Sequence, residues 1–288
     1  MKIEQVLETY DEVYAEAYNE AFLTDIHSQT KTKHELKILT QLLSEKGTEA
    51  RWLDVACGTG YYLSCFPEVK KAGLDISPAM LNISRRKNPD IPLIQGNFRD
   101  KSLFKKGEWD VISSMWWAYS FAESISEIET LIENICHWLT DDGFCFMPIC
   151  NPSKNLYSGQ TNVPYVATED APAYGGKILV TGVIWSWIEA SGKRHDNMLV
   201  PQMEYMVELF KKYFQSVEIV EYANGYYWGI LAAKKERLFD TICSQFTTES
   251  LHVTTEKNET LVDNLPLAPA RPANFLKRFV HKFLNLNS

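Results

Sequence analysis

The spacing of apolar positions changes several times along the chain, and each change marks a new element. Residues 1–46 read as helix, with Tyr10, Asp11, Tyr14 and Tyr18 on a polar first half. In the second half, "HELKILTQLL" places Leu36, Leu39, Leu42 and Leu43 on one stripe. Short apolar runs then alternate with helical ones. "RWLDVA" (51–56), "KKAGLDI" (70–76), "IPLIQG" (91–96), "WDVISSM" (109–115) and "GFCFMPI" (143–149) read as strands. Between them "YYLSCF" starts a helix, and "SPAMLNISRR" starts another with Ser77 as its cap and Pro78 in its first turn. In "SEIETLIENICHWL", Ile125, Ile128, Ile132, Ile135 and Leu139 recur at 3, 4, 3 and 4. Ser126 and Glu129 are spaced for a capping box, and "DDG" stops the helix. Alternation of this kind predicts an α/β fold with a doubly wound, mostly parallel sheet covered on both faces.

From residue 151 the rhythm is different. Residues 151–176 are rich in turn formers, and 177–200 predict a β-hairpin about Ser191 and Gly192. Helix returns in "PQMEYMVELFKKYF", and strands in "SVEIVEY" and "YYWGILAAKK". The expected organisation is a helical cap over 1–46 and a main domain over 47–239. A small antiparallel β insertion at 151–200 follows strand five, in the manner of a lid or substrate pocket. Residues 240–273 read as a polar linker. Residues 274–288 read as a basic amphipathic helix, with Phe275, Leu276, Phe279, Val280, Phe283 and Leu284 on one stripe and Lys277, Arg278 and Lys282 off it. Such a helix can pack on its own domain, lie peripherally on an anionic membrane, or dock on a protein partner.

Composition narrows the function. The chain has 288 residues, 45% of them hydrophobic, with a net charge of −8. It can bury a large core, and its charge argues against a nucleic-acid binder, which needs basic phosphate contacts. No apolar stretch reaches the roughly 18 residues of a membrane span, and the N-terminus does not read as a signal peptide, so the expectation is a cytoplasmic protein. The six cysteines lack CxxC pairs and the six histidines lack HxxxH or HxH pairs, so no metal site is expected.

The chemistry concentrates in "RWLDVACGTGYYL", where a strand runs into Gly58 and Gly60. A dinucleotide fingerprint would need a third glycine where Leu63 stands. Asp75 ends the second strand, beside the end of the first, where an acid can accept both hydroxyls of a ribose. Asp54 can receive an ammonium or orient the glycine loop. The expected ligand therefore carries a ribose and a cationic part.

"LDVACGTGYYL", "GLDISPAML", "IQGNFRD", "EWDVISSM" and "LTDDGFCFMPI" occur in the order and spacing of the class I S-adenosylmethionine-dependent methyltransferases, which this chain resembles over about residues 48–150 and in outline over 200–235. The resemblance implies a seven-stranded sheet completed by 216–222 and 226–233. It also implies S-adenosyl-L-methionine as cofactor and S-adenosyl-L-homocysteine as product. It puts Ala56, Cys57, Gly58 and Gly60 against the methionine part, Asp75 on the ribose, and Ile76 and Met80 on the adenine. Asn97 stands where the family usually has an acid, and its oxygen can still accept from the adenine amino group. Phe98 flanks the ring, Met115 faces the same crevice, and Tyr14 and Tyr18 match a first helix that closes over the cofactor in small-molecule members.

"MWWAYSF" leaves the fourth strand at the ligand-binding end, so Trp116, Trp117 and Tyr119 are expected to wall a substrate pocket, with one tryptophan filling the core. Tyr226 can face them from the last strand. No general base stands out. His195, Glu169 and Asp170 are the candidates, while His137 reads as structural. A weaker resemblance to sugar and natural-product N-methyltransferases suggests a small polar substrate, an amino sugar, saccharide unit or natural product, methylated at an amine or hydroxyl. The alternative on the same fold is a non-catalytic S-adenosylmethionine-binding accessory or sensor protein, but the intact glycine loop and Asp75 favour the enzyme.

Overall fold

The computed structural model describes residues 1–24, 26–151, 165–166, 177–181, 184–188, 193–223, 225, 227–237, 239 and 242–243. Its centre is a seven-stranded sheet. Strands β1 (Arg51–Val55), β2 (Lys70–Asp75), β3 (Leu93–Gln95), β4 (Trp109–Ser113) and β5 (Leu139–Ile149) are parallel where they pair. Beyond β5 the chain forms β6 (Tyr165–Val166), β7 (Lys177–Thr181), β8 (Ile184–Ile188) and β9 (Arg194–Leu199), and then β10 (Ser216–Tyr222) and β11 (Tyr227–Ala233). The last two are an antiparallel pair, and β11 joins β5 antiparallel, so the order is β10-β11-β5-β4-β1-β2-β3. This is the mostly parallel, doubly wound sheet expected from the alternating pattern.

The strands are apolar on both faces because both are covered. Helix α3 (Ile26–Lys46) sends Ile38, Leu39, Leu42 and Leu43 onto Trp52, Val111, Phe144, Phe146 and Leu231. The other face packs Leu53, Ile112, Cys145, Met147 and Ile230 against α6 (Ile125–Trp138) and α7 (Met203–Lys211). Residues next to each other in a strand thus belong to opposite cores, as the period of two requires. Short α4 (Tyr61–Ser64) and α5 (Pro78–Lys87) follow β1 and β2. Ser77 caps α5 by accepting from the Met80 amide, and Arg85, Arg86 and Lys87 complement the dipole in its last turn.

Four local expectations change. The N-terminal helix is three helices, α1 (Ile3–Thr9), α2 (Glu12–Phe22) and α3. Tyr10 leaves the helical region, and the Asp11 carboxylate accepts from the Tyr14 amide to start α2 afresh. Helix α6 is capped by Ser124, not Ser126. The Ser124 hydroxyl accepts from the Glu127 amide while Glu127 accepts from the Glu123 amide, and Glu129 turns instead to Lys212 and Tyr213. Strand β5 begins at Leu139, directly after the helix, through a bulge opposite β4. Among the described residues the insertion is a four-stranded antiparallel sheet, β6-β7-β8-β9, in which β7 and β8 are separate strands and the expected hairpin about 191–192 corresponds to the β8–β9 pair. Except for Ile242 and Cys243, the expected linker over 240–273 and the helix over 274–288 lie outside the described residues.

Candidate functional site

The carboxyl ends of β1, β2 and β4 open onto a cleft of about 860 Å³, mouth included, at the point where the strand order reverses. Its floor is the turn after β1. Ala56, Gly58 and Gly60 all take left-handed backbone angles (φ 58°, 54° and 68°), and the Cys57 amide donates to Leu74 O on β2. The two glycines serve different ends. A side chain at Gly58 would meet nothing within 4 Å, so this position keeps the backbone open toward the cleft. At Gly60 a Cβ would lie 2.1 Å from Ser84 Oγ, so the glycine permits α4 to start hard against α5. Gly60 and Cys57 do not border the cleft. The Cys57 sulfur points away from it and is buried beside Gly73, where a Cβ would come within 2.7 Å of it.

Two buried carboxylates stand behind the turn. Asp75 accepts from the Gly58 amide (2.7 Å) through Oδ2 and from the Ser77 amide (2.8 Å) through Oδ1, and it lines the cleft. Each oxygen keeps a second lone pair. Burial raises its pKa, opposed by those amides. Asp54 sits one layer deeper. Trp52 Nε1 donates to Ser113 Oγ (2.9 Å), which donates to Asp54 Oδ1 (2.7 Å). Asp54 Oδ2 is buried with no hydrogen-bond partner among the described residues. Burial pushes this carboxyl up to about 7, with Asp75 and Glu35 adding repulsion. An orphaned carboxylate oxygen, an open glycine and a hydroxyl-accepting acid together suit a ligand with a cationic part and a ribose.

Ile76, Met80, Asn97, Phe98, Met115 and Trp116 also line the cleft. Asn97 Oδ1 accepts from the Arg99 amide (3.0 Å) in a local turn. Of the two first-helix tyrosines, Tyr18 lines the cleft, whereas Tyr14 lies behind it, under the Lys193 ammonium (3.6 Å to the ring centre). The aromatic run splits. Trp116 borders the cleft, but Trp117 packs on Trp185 of the insertion and on Tyr227. Tyr119 is a correction: it is fully buried, its hydroxyl accepting from the Cys150 amide (2.9 Å), and it does not border this cleft. His195 is buried with its ring stacked on Trp187 (4.8 Å between centres), 6.4 Å from Tyr10, and does not border the cleft. Glu169, Asp170 and Tyr226 lie outside the described residues.

Sequence reasoning missed Tyr10, Phe121 and Arg99 as lining residues. Arg99 directly follows Phe98, and its guanidinium pairs with Glu127 at 2.6 Å. Its neighbour in sequence was the available signal. Tyr10 carried none beyond its place in an aromatic helix, because α1 and α2 reach the cleft only by tertiary folding.

Comparison with known proteins agrees with this geometry. The sequence family described as "Methyltransferase domain" matches residues 53–143. The chain is 34% identical over 109 residues to the dTDP-4-amino-2,3,4,6-tetradeoxy-D-glucose N,N-dimethyltransferase of Saccharopolyspora spinosa, a match covering 36% of this chain and 43% of that protein. The chain thus spans less than half the length of that curated relative. Its fold resembles that of Streptomyces venezuelae DesVI (TM-score 0.58, 20% identity, covering 78% of this chain and 99% of that one). It also resembles S-adenosylmethionine-bound CalS10, an amino pentose methyltransferase from Micromonospora echinaspora (TM-score 0.54, 21% identity, 76% and 96%). Sheet order, glycine turn and family match agree: residues 53–143 match a methyltransferase domain, and the seven-stranded sheet that contains them has the class I methyltransferase fold.

Proposed function

We propose that this chain transfers a methyl group from S-adenosylmethionine to the amine of a small, nucleotide-linked amino sugar. The observation that carries the cofactor half is Asp75 and the open Gly58 facing one cleft, with Asp54 and its unpartnered Oδ2 buried behind the glycine turn. The sugar half is supported by relatives whose substrates are dTDP-amino sugars. When bound, S-adenosylmethionine supplies an electrophilic methyl group on a sulfonium, which an amine attacks in line.

On this reading the residues act mainly by placement, which can supply roughly 7–11 kcal/mol of a displacement barrier. Asp75 accepts from ribose hydroxyls while its own oxygens stay fixed by the Gly58 and Ser77 amides. Asp54, held through Oδ1 by Ser113, offers Oδ2 to a cation. Asn97 and Phe98 border the adenine side, with Ile76 and Met80 below. Tyr10, Tyr18 and Phe121 cover the cleft from the cap and the turn after β4, which excludes water from the reacting groups. Trp116 offers a ring to a substrate or to positive charge. A neutral amine needs no base for attack, and its proton can leave to solvent after transfer. His195 stays one aromatic layer from the cleft, behind Tyr10.

The test is to incubate the full chain with S-adenosylmethionine and a set of dTDP-3-amino and dTDP-4-amino sugars. S-adenosylhomocysteine release and the gain of one or two methyl groups are followed by mass spectrometry. The expected result is a methylated amino sugar with wild type and none with Asp75→Ala. Cofactor binding without methylation of any amine in the set would overturn the substrate reading; absence of cofactor binding would overturn the whole.

A further inference from the structure

Behind Trp116 lies a buried charged cluster that the methyl-transfer reading leaves unused. Lys31, on α3, is 4% exposed, and its ammonium sits 3.2 Å from the centre of the Trp116 ring and 5.9 Å from that of Tyr227. One turn on, Glu35 is fully buried and pairs with Lys31 at 3.5 Å. Glu35 also accepts hydrogen bonds from the hydroxyls of Tyr62, on α4, and of Tyr222, at the end of β10 (2.8 Å for the latter). Three separate elements therefore hold one carboxylate, and that carboxylate holds the lysine against the indole.

A buried ion pair is a weak device for stability, because desolvating two charges offsets most of their attraction. Its position suggests another use. Trp116 and Trp117 both have left-handed backbones (φ 55° and 58°), a conformation that costs a non-glycine residue free energy unless its surroundings impose it. That turn sends Trp116 to the cleft and Trp117 to the insertion, and Lys31 occupies the Trp116 ring from behind.

We propose that Lys31, held by Glu35, is a positioning residue that fixes the Trp116 indole as a wall of the methyl-acceptor side of the cleft. The proposal rests on the reading of that cleft as a methyl-transfer site. It places the specificity of the wall in α3, outside the motifs that surround the cofactor.

The test uses the full chain labelled with 5-fluorotryptophan, its Trp116 resonance assigned with Trp116→Phe. Lys31→Met, the double variant Lys31→Met with Glu35→Gln, and Lys31→Arg are compared for fluorine spectrum, melting temperature, S-adenosylmethionine affinity and turnover of a dTDP-amino sugar. Lys31→Met should melt lower, because it strands a buried carboxylate, and the double variant should regain most of that loss. In both, the Trp116 resonance should shift and broaden and kcat should fall about ten-fold or more, since small misplacements near reacting atoms are costly. Cofactor affinity should stay within about two-fold, and Lys31→Arg, which keeps a cation on the indole face, should restore the resonance and most of the turnover. A double variant with wild-type turnover and an unmoved Trp116 resonance would show that the pair only supports the fold, and would overturn the proposal. If wild type methylates no amino sugar, the substrate reading fails, and the fluorine spectra alone still decide whether Lys31 positions Trp116.

Discussion

Asp54 combines full burial with an oxygen that has no hydrogen-bond partner among the described residues, which gives this one residue two opposite pH dependences. Its carboxyl titrates near 7 in the fold, against an ordinary 3.8. Between those values the folded state keeps a proton that the unfolded chain has released, so its contribution to stability is full below 3.8 and is lost as pH rises through 7. A cation beside Oδ2 reverses this by favouring the ionised form. We therefore expect Asp54→Asn to melt above wild type at pH 8 without ligand, with an advantage that shrinks toward pH 5.5, in scanning calorimetry. In titration calorimetry, wild-type affinity for S-adenosylmethionine should rise through pH 7, while the variant binds more weakly and without that dependence. At this scale much was legible, since Asp54, Gly58 and Asp75 are recognisable by type and spacing. Gly58 and Gly60 look alike in a sequence, however, and only the 2.1 Å approach of Ser84 separates a packing glycine from one that opens the cleft. Tyr119 failed for the same reason: an aromatic at a strand end fits a pocket wall or a core, and its bond to the Cys150 amide decides.

Helix α6 illustrates how an element can be legible while its boundary is not. The stripe of Ile128, Leu131, Ile132, Ile135 and Trp138 is buried as its periodicity requires. "SISEIE" contains two serine–glutamate pairs at capping distance, and local sequence does not choose between them. The helix's place in the fold does, because the chain enters it with Ser124 at the Glu127 amide and α7 brings Lys212 to Glu129. Ser124→Ala should cost about 1 kcal/mol in urea unfolding and Ser126→Ala less than about 0.5 kcal/mol. The insertion was legible as β structure after strand five, but the separation of β7 from β8 was not, since both runs are mostly apolar. Likewise the first 46 residues were legible as helix, while the breaks at Tyr10 and after Phe22 depend on Asp11 acting as a cap and on contacts with the domain.

At the scale of the molecule, the cap and the insertion meet over the cleft. Met1 and Val6 share an apolar cluster with Trp185, Met198 and Val200. Polar contacts tie the cap to the rest: Lys193 Nζ donates to Thr9 O (2.7 Å), Ser77 Oγ to Tyr10 O (2.9 Å) and Thr59 Oγ1 to Asn19 (2.6 Å). Helix α1 buries none of its residues and α2 only Ala15 and Phe22, so these two helices should open at lower free energy than the sheet. Replacing Lys193 by Met and Thr59 by Val together should speed amide exchange over α1 and α2, with β1, β4 and β5 unchanged, and should hasten release of S-adenosylhomocysteine several-fold in stopped-flow measurements. Among the described residues no helix is long and apolar enough to cross a membrane. By itself the sequence determined the strand and helix alternation, the glycine turn and the acid on the second strand, because period and local backbone needs are written residue by residue. Tertiary structure decided which aromatic reached the cleft, which glycine stayed open, how the cap closed over the site and what stood behind Trp116. Those depend on approaches between residues far apart in the chain, which local spacing does not encode.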